Sequence, residues 1–228
     1  MMKVILWDID GTLLNFEMSE KYAIRKCFEI YNLGECTDEM LMQYSQINRK
    51  YWEKLERGEL SKPEVLVGRF REFFKVQGLP VEKAEPFNDE YQIRLGDHAF
   101  YNDDGEQLVK KLKEMEIKQY AVTNGTLIAQ QRKLKLSGLD KLLDGVFISD
   151  AIGIEKPNIG FFDAVWEEIG FYDKDEVMII GDSLTSDIQG GNNAGIRCCW
   201  YNPHNQANTK GLHIDCEVQN LQEIINLI

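Results

Sequence analysis

The chain has 228 residues, enough for one large core or for one core with a smaller module beside it. Its 43% hydrophobic and 28% charged residues lie in the ordinary globular range, which excludes a fibre or a wholly disordered chain. Against 38 acidic side chains stand 26 basic ones, and the resulting charge of −12 disfavours nucleic-acid polymers and anionic membranes as partners. A small phosphorylated metabolite is not excluded, because salt screens the distant field over about 8 Å and local donors with a metal can outweigh it. The five cysteines are odd in number and form no C-x-x-C pair, so free thiols in a reducing compartment are expected. The opening run Met2–Trp7 is too short for a signal core or a membrane span, and a cytoplasmic location is expected.

In chain order, Lys3–Ile9 is a short apolar run with β-branched members and reads as a buried strand ending in the turn Asp10-Gly11-Thr12. The stretch 15–97 then carries amphipathic helical patterns over Glu17–Tyr31, Thr37–Glu56, Lys62–Gln77 and Asp89–Leu95. From there on, strand-like runs at Ile117–Thr123, Val146–Ser149, Val177–Gly181 and Ile196–Tyr201 alternate with helical segments. Those segments are Gly105–Met115, Thr126–Leu136, Asn158–Ile169, Ser186–Ala194 and a closing Leu221–Ile228, with Gly138, Gly170 and Gly195 placed to end helices. Such alternation predicts an α/β fold with a Rossmann-like parallel sheet. The core is expected over 1–14 and 98–228, with 15–97 inserted as an all-helical cap at the carboxyl edge, where open sheets of this kind bind ligands.

Four segments carry candidate chemistry. Asp8-Ile9-Asp10 sets two carboxylates two residues apart at a strand end, so that one can attack while the other moves a proton; the plain alternative is a turn. Thr123-Asn124-Gly125 ends the second core strand in a hydroxyl, an amide and a glycine before a helix, which suits an anion but also an ordinary helix start. Lys156-Pro157 offers one cation, and Gly181-Asp182 with Asp187 brings two further carboxylates after an apolar strand. Each segment alone has a bland reading. Their joint order along the chain points to a single acidic site.

With these segments the chain resembles the haloacid dehalogenase superfamily of phosphatases, whose four motifs match Asp8-x-Asp10-Gly11-Thr12, Thr123-Asn124-Gly125, Lys156-Pro157 and Gly181-Asp182 with Asp187. Within it, Ile47-Asn48, Trp52, Glu56–Glu59 and Ser183–Gly191 are similar to bacterial nucleoside 5′-monophosphate phosphatases. The resemblance implies a helical cap of the first class and catalysis through a covalent aspartyl-phosphate. It makes Asp8 the nucleophile and Asp10 the group that protonates the leaving oxygen and then activates water. It implies Mg²⁺ held by Asp8, the backbone carbonyl of Asp10 and Asp182, with Asp187 acting through water or by orienting Lys156. Thr123, Asn124 and Lys156 would then hold the phosphoryl group, and Thr12 would order the first loop. In the cap, Phe16, Asn48 and Trp52 are candidates for contact with the substrate, although aromatics at helical spacing are more often packing residues. A sugar-phosphate phosphatase or mutase would use the same four motifs. A dehalogenase would share Asp8, and a non-catalytic phosphate-binding protein would be expected to lack Asp8 or Asp10.

Overall fold

In the computed structural model, which describes residues 2–170 and 173–228, six short strands form one parallel sheet. Met1 and residues 171–172, which the sequence reading assigns to the core, lie outside the described residues. The strands are β1 (Val4–Trp7), β2 (Lys118–Thr123), β3 (Gly145–Ile148), β4 (Val177–Gly181), β5 (Arg197–Tyr201) and β6 (Cys216–Val218). Their order across the sheet is β3-β2-β1-β4-β5-β6. Central β1 pairs with β2 through Trp7 and Ala121 and with β4 through Trp7 and Ile180. A strand covered on both faces needs an unbroken apolar run, and Val-Ile-Leu-Trp supplies it with every residue fully buried. Side chains alternate across the pleat, so Ile5 and Trp7 enter one core layer with Leu108, Met178 and Leu221. Val4 and Leu6 enter the opposite layer with Phe161, Ile179 and Trp200.

The chain divides into two compact units, one running up to Phe16 and resuming over Ala99–Ile228, the other Glu17–His98. The second unit is built from α1 (Phe16–Tyr31) after its first residue, α2 (Asp38–Glu56), α3 (Lys62–Gln77) and α4 (Ala84–Leu95). Sequence punctuation explains their ends. Thr37 accepts the Met40 N–H at the start of α2, Ser61 and Glu64 form a capping box at α3, and Gly78 ends α3 in the left-handed region at φ 64°. The interior of this unit is aromatic: Tyr44 stacks on Phe70 with centroids 4.9 Å apart, and Phe87 meets Phe70 and Phe74 at 5.1 and 5.0 Å.

Around the sheet lie α5 (Gly105–Glu114), α6 (Leu127–Ser137), the single turns α7 (Leu139–Leu142) and α8 (Ser149–Ile152), α9 (Ile159–Ile169) and α10 (Gln189–Ala194). Three local differences from the sequence reading stand out. The helix expected from Ser186 begins earlier, as a wider π-type turn over Leu184–Ile188, and continues as α10. The closing helix is a 3₁₀ segment, Leu221–Asn226, begun by a capping box between Asn220 and Glu223. Edge strand β6 went unread because three residues carry too little alternation to register.

Candidate active site

The order of the strands reverses about β1, so the ends of β1 and β4 flank the point where open sheets of this type bind ligands. Asp8 follows β1 directly, and its N–H donates to the Ile180 carbonyl at 2.9 Å, fixing it beside β4. Asp182 is the first residue after β4, and Thr123 is the last of β2. Lys156 enters from the loop between α8 and α9 and is fully buried. Its ammonium donates to Asp8 Oδ1 at 2.9 Å, to Asp187 Oδ1 at 2.6 Å and to the Val122 carbonyl at 2.6 Å. Three of the four sequence segments thus meet on one nitrogen. The remaining one joins through Asn124, whose side chain donates to the Lys156 carbonyl at 2.8 Å and accepts the Lys156 N–H at 2.8 Å. Asn124 acts there as a strut between two loops.

Carboxylate oxygens of Asp8, Asp182 and Asp187 all lie within 4.8 Å of one another. Burial raises the Asp8 carboxyl well above the usual carboxylate range, the charge of Asp187 adds to this, and Lys156 opposes it. Asp182 reaches solvent, yet the surrounding protein and then Asp187 push it up to about 7, against a hydrogen bond from the Thr12 hydroxyl at 3.0 Å. For Lys156, burial alone would favour loss of the proton; Asp187 and Asp8 outweigh it and hold the ammonium raised above its ordinary value. Three carboxylates crowd around one ammonium, leaving two negative charges unmatched when all are ionised. An all-oxygen donor set with excess negative charge fits a hard divalent cation.

Two glycines make this crowding sterically possible. Gly11 has φ 97°, and a Cβ there would lie 2.7 Å from Asp182 Oδ2. A Cβ on Gly181 would lie 2.2 Å from the Asp187 carboxyl carbon. The Asp187 carboxylate is also fixed by the Ser183 N–H at 3.1 Å, and the Asp182 carbonyl by the Trp200 indole at 2.9 Å.

Asp10 points elsewhere. Its Oδ1 accepts from Lys133 at 2.5 Å and its Oδ2 from Gln130 at 2.6 Å, both on α6. Neither partner was singled out from the sequence, because α6 reads as a mostly polar helix whose buried stripe is not apolar. The stripe is visible only with the fold in hand: Ala129, Gln130, Lys133 and Leu134 are its buried residues. Of the three candidates for substrate contact expected in the cap, Phe16 falls in the sheet unit, where its ring lies 5.1 Å from the Lys133 ammonium. Asn48 is buried within the helical unit, donating to Glu20 at 2.9 Å and accepting from Arg69 at 2.6 Å. The Trp52 ring lies 5.8 Å from the Arg69 guanidinium. Asn48 and Trp52 thus surround an arginine that the sequence reading passed over.

The haloacid dehalogenase-like hydrolase model matches residues 2–195, a span that contains all four segments. The chain belongs to this family of hydrolases. HAD-hydrolase YfnB of Bacillus subtilis is 32% identical over 226 residues, covering 99% of this chain and 95% of that protein. Pyrimidine 5′-nucleotidase PynA of Streptococcus pneumoniae is 33% identical over 99% of this chain and 94% of its own length. Pyrimidine 5′-nucleotidase YjjG of Escherichia coli is 28% identical over 98% and 96%. A crystal structure of magnesium-bound YfnB superposes with a TM-score of 0.93, covering 99% of this chain and 98% of that one. Dehalogenase structures at 18% identity and TM-scores near 0.77 share the fold.

Proposed function

We propose that this hydrolase is a Mg²⁺-dependent phosphomonoesterase that cleaves nucleoside 5′-monophosphates, pyrimidine nucleotides foremost, through a covalent phosphate on Asp8. The observation that carries the reading is the buried Lys156 ammonium bonded to both Asp8 and Asp187, with Asp182 beside them. Such a nucleus binds a phosphoryl group only if further positive charge joins it. Asp8, Asp182 and the Asp10 backbone carbonyl would hold Mg²⁺, which when bound supplies that charge to the phosphoryl oxygens.

The residues of the chain divide the remaining work. Asp8 attacks phosphorus with an ionised carboxylate, and the Lys156 ammonium keeps that form accessible despite burial. The same ammonium lends its positive charge to the phosphoryl site, and the Thr123 hydroxyl orients phosphoryl oxygens at the ends of β2 and β1. Asp10 delivers a proton to the departing nucleoside oxygen and takes one from the water that later releases phosphate. The nucleotide preference rests on two full-length relatives named as pyrimidine 5′-nucleotidases.

The deciding experiment measures phosphate release by the Mg²⁺-supplemented protein across nucleoside 5′-monophosphates, sugar phosphates and an aryl phosphate, with Asp8→Asn in parallel. Uridine and thymidine 5′-monophosphate are expected to be preferred, and Asp8→Asn to lower turnover by more than about a thousandfold. A preference for sugar phosphates overturns the substrate, and an active Asp8→Asn overturns the nucleophile.

A further inference from the structure

Lys133 is a fully buried lysine outside the four motif segments, and what it holds is the side chain of a motif residue. Burying an ammonium costs several kcal/mol of solvation unless a counter-charge is placed against it. Here that counter-charge is Asp10 Oδ1 at 2.5 Å, with the Phe16 ring face 5.1 Å away. Gln130 stands three residues earlier on the same face of α6 and is equally buried. It donates to the other Asp10 oxygen at 2.6 Å. One helix thus presents two donors, one to each oxygen of a single carboxylate.

A third residue makes room for this grip. A Cβ on Gly125 would lie 2.1 Å from the Gln130 amide nitrogen and 2.8 Å from its Cδ and Cγ. Any side chain at 125 would drive Gln130 away from Asp10, so the glycine that follows Thr123-Asn124 is tied to the placing of Asp10. Held by two donors, the carboxylate can only accept, and each oxygen retains a further lone-pair direction. About 19% of the Asp10 side chain stays open. That combination suits one half of the reaction better than the other.

We infer that Lys133 and Gln130 are positioning residues that hold the Asp10 carboxylate as the proton acceptor for hydrolysis of the phosphorylated Asp8, an inference that rests on the reading in the preceding subsection. In that half-reaction a water oxygen bonds to phosphorus while the bond from phosphorus to the Asp8 oxygen breaks. Asp8 departs with the electron pair as a carboxylate, one water proton passes to Asp10, and inorganic phosphate is released. The proton now on Asp10 is the one the next leaving group requires.

The test compares Lys133→Met and Gln130→Met with the unsubstituted protein, all in Mg²⁺ with uridine 5′-monophosphate. Steady-state constants are measured together with acid-quench trapping of ³²P on the protein. Slower hydrolysis of a covalent intermediate lowers kcat and KM together, so kcat is expected to fall about 10- to 100-fold while kcat/KM stays within about threefold. The trapped phosphoprotein fraction rises accordingly. A loss of kcat/KM as large as that of kcat, or unchanged trapping, overturns the inference, since general damage to the site would act on both constants. Gln130→Met strands no buried charge, so it carries the test if Lys133→Met does not fold, as judged by circular dichroism. Absence of label on Asp8 in the unsubstituted protein and in both variants defeats the phosphoenzyme reading itself. Label present there but not enriched in either variant defeats only the inference.

Discussion

Lys156 in the sheet unit and Arg69 in the helical unit are both buried cations ringed by polar side chains, and the two rings differ in their charge balance. Arg69 donates to Asn48 at 2.6 Å and, more weakly, to Asn88 and the Leu66 carbonyl at 3.4 Å. Asn48 passes on to Glu20 at 2.9 Å, and the Ser45 hydroxyl also donates to Glu20. Burial raises the Glu20 carboxyl, while Ser45, Arg69 and Asn48 pull it back. One carboxylate faces one guanidinium, amides occupy the space between, and Phe70 and Tyr91 rings lie 5.0 and 5.2 Å from the guanidinium. The arrangement is self-sufficient. Around Lys156, by contrast, two carboxylates are bonded directly and a third stands within reach, so negative charge is in excess when all three are ionised. A balanced buried network supports a fold, whereas an unbalanced one is a candidate for binding a cation.

Removing each cation or its partners should expose this difference. The largest effect on stability is expected from Arg69→Met, which leaves Glu20 buried without its counter-charge and should cost about 3–5 kcal/mol in chemical denaturation. Adding Glu20→Gln to it should recover part of that loss; no recovery would mean that Arg69 matters by packing alone. Next comes the response to metal. At about one hundred times its Kd, Mg²⁺ should add about 2.7 kcal/mol to the unfolding free energy, read as a rise in Tm. Asp182→Asn should abolish most of that rise and Arg69→Met should leave it intact, so equal responses in the two variants would erase the distinction drawn here. The smallest effect is expected from Gly11→Ala, where a side chain at φ 97° pressed on Asp182 should cost about 1–2 kcal/mol and weaken the Mg²⁺ response. An alanine variant with unaltered Tm and metal titration would remove Gly11 from the site.

The parts of this molecule that the sequence made legible are those where a local pattern and a tertiary role coincide. Strands β1 and β4 are unbroken apolar runs and β2 closes on Tyr120-Ala121-Val122 before Thr123, so the strands and the positions of Asp8, Thr123 and Asp182 could be read together, although β1 ends at Trp7, two residues before the expected Ile9. Helices α2 and α3 were legible from their amphipathic patterns, and their ends agree because Thr37, Ser61 with Glu64, and Gly78 mark them locally in the structure. Lys133, Gln130 and Arg69 were illegible for the opposite reason. Each is a long polar residue on a helix, and only contacts 120 or so residues apart, or between neighbouring helices, turn it inward. The wide turn at Leu184–Ile188 also escaped, because it is set by Ser183, whose backbone carbonyl accepts from both Asp187 and Ile188 and whose hydroxyl accepts from Ser186. Asn48 shows the cost of reading a polar side chain without its neighbours: expected at a substrate, it lies between Glu20 and Arg69.

The bond from the Lys156 ammonium to the Val122 carbonyl has a practical corollary. All three hydrogens of that nitrogen are engaged, the side chain is fully buried, and its proton is held more tightly than that of an ordinary lysine. Acylating reagents consume free amines, so they should label Lys3, Lys110 and their outward-facing counterparts long before this one. A lysine-reactivity survey of the native protein would therefore score as inert the amine at the centre of the candidate site.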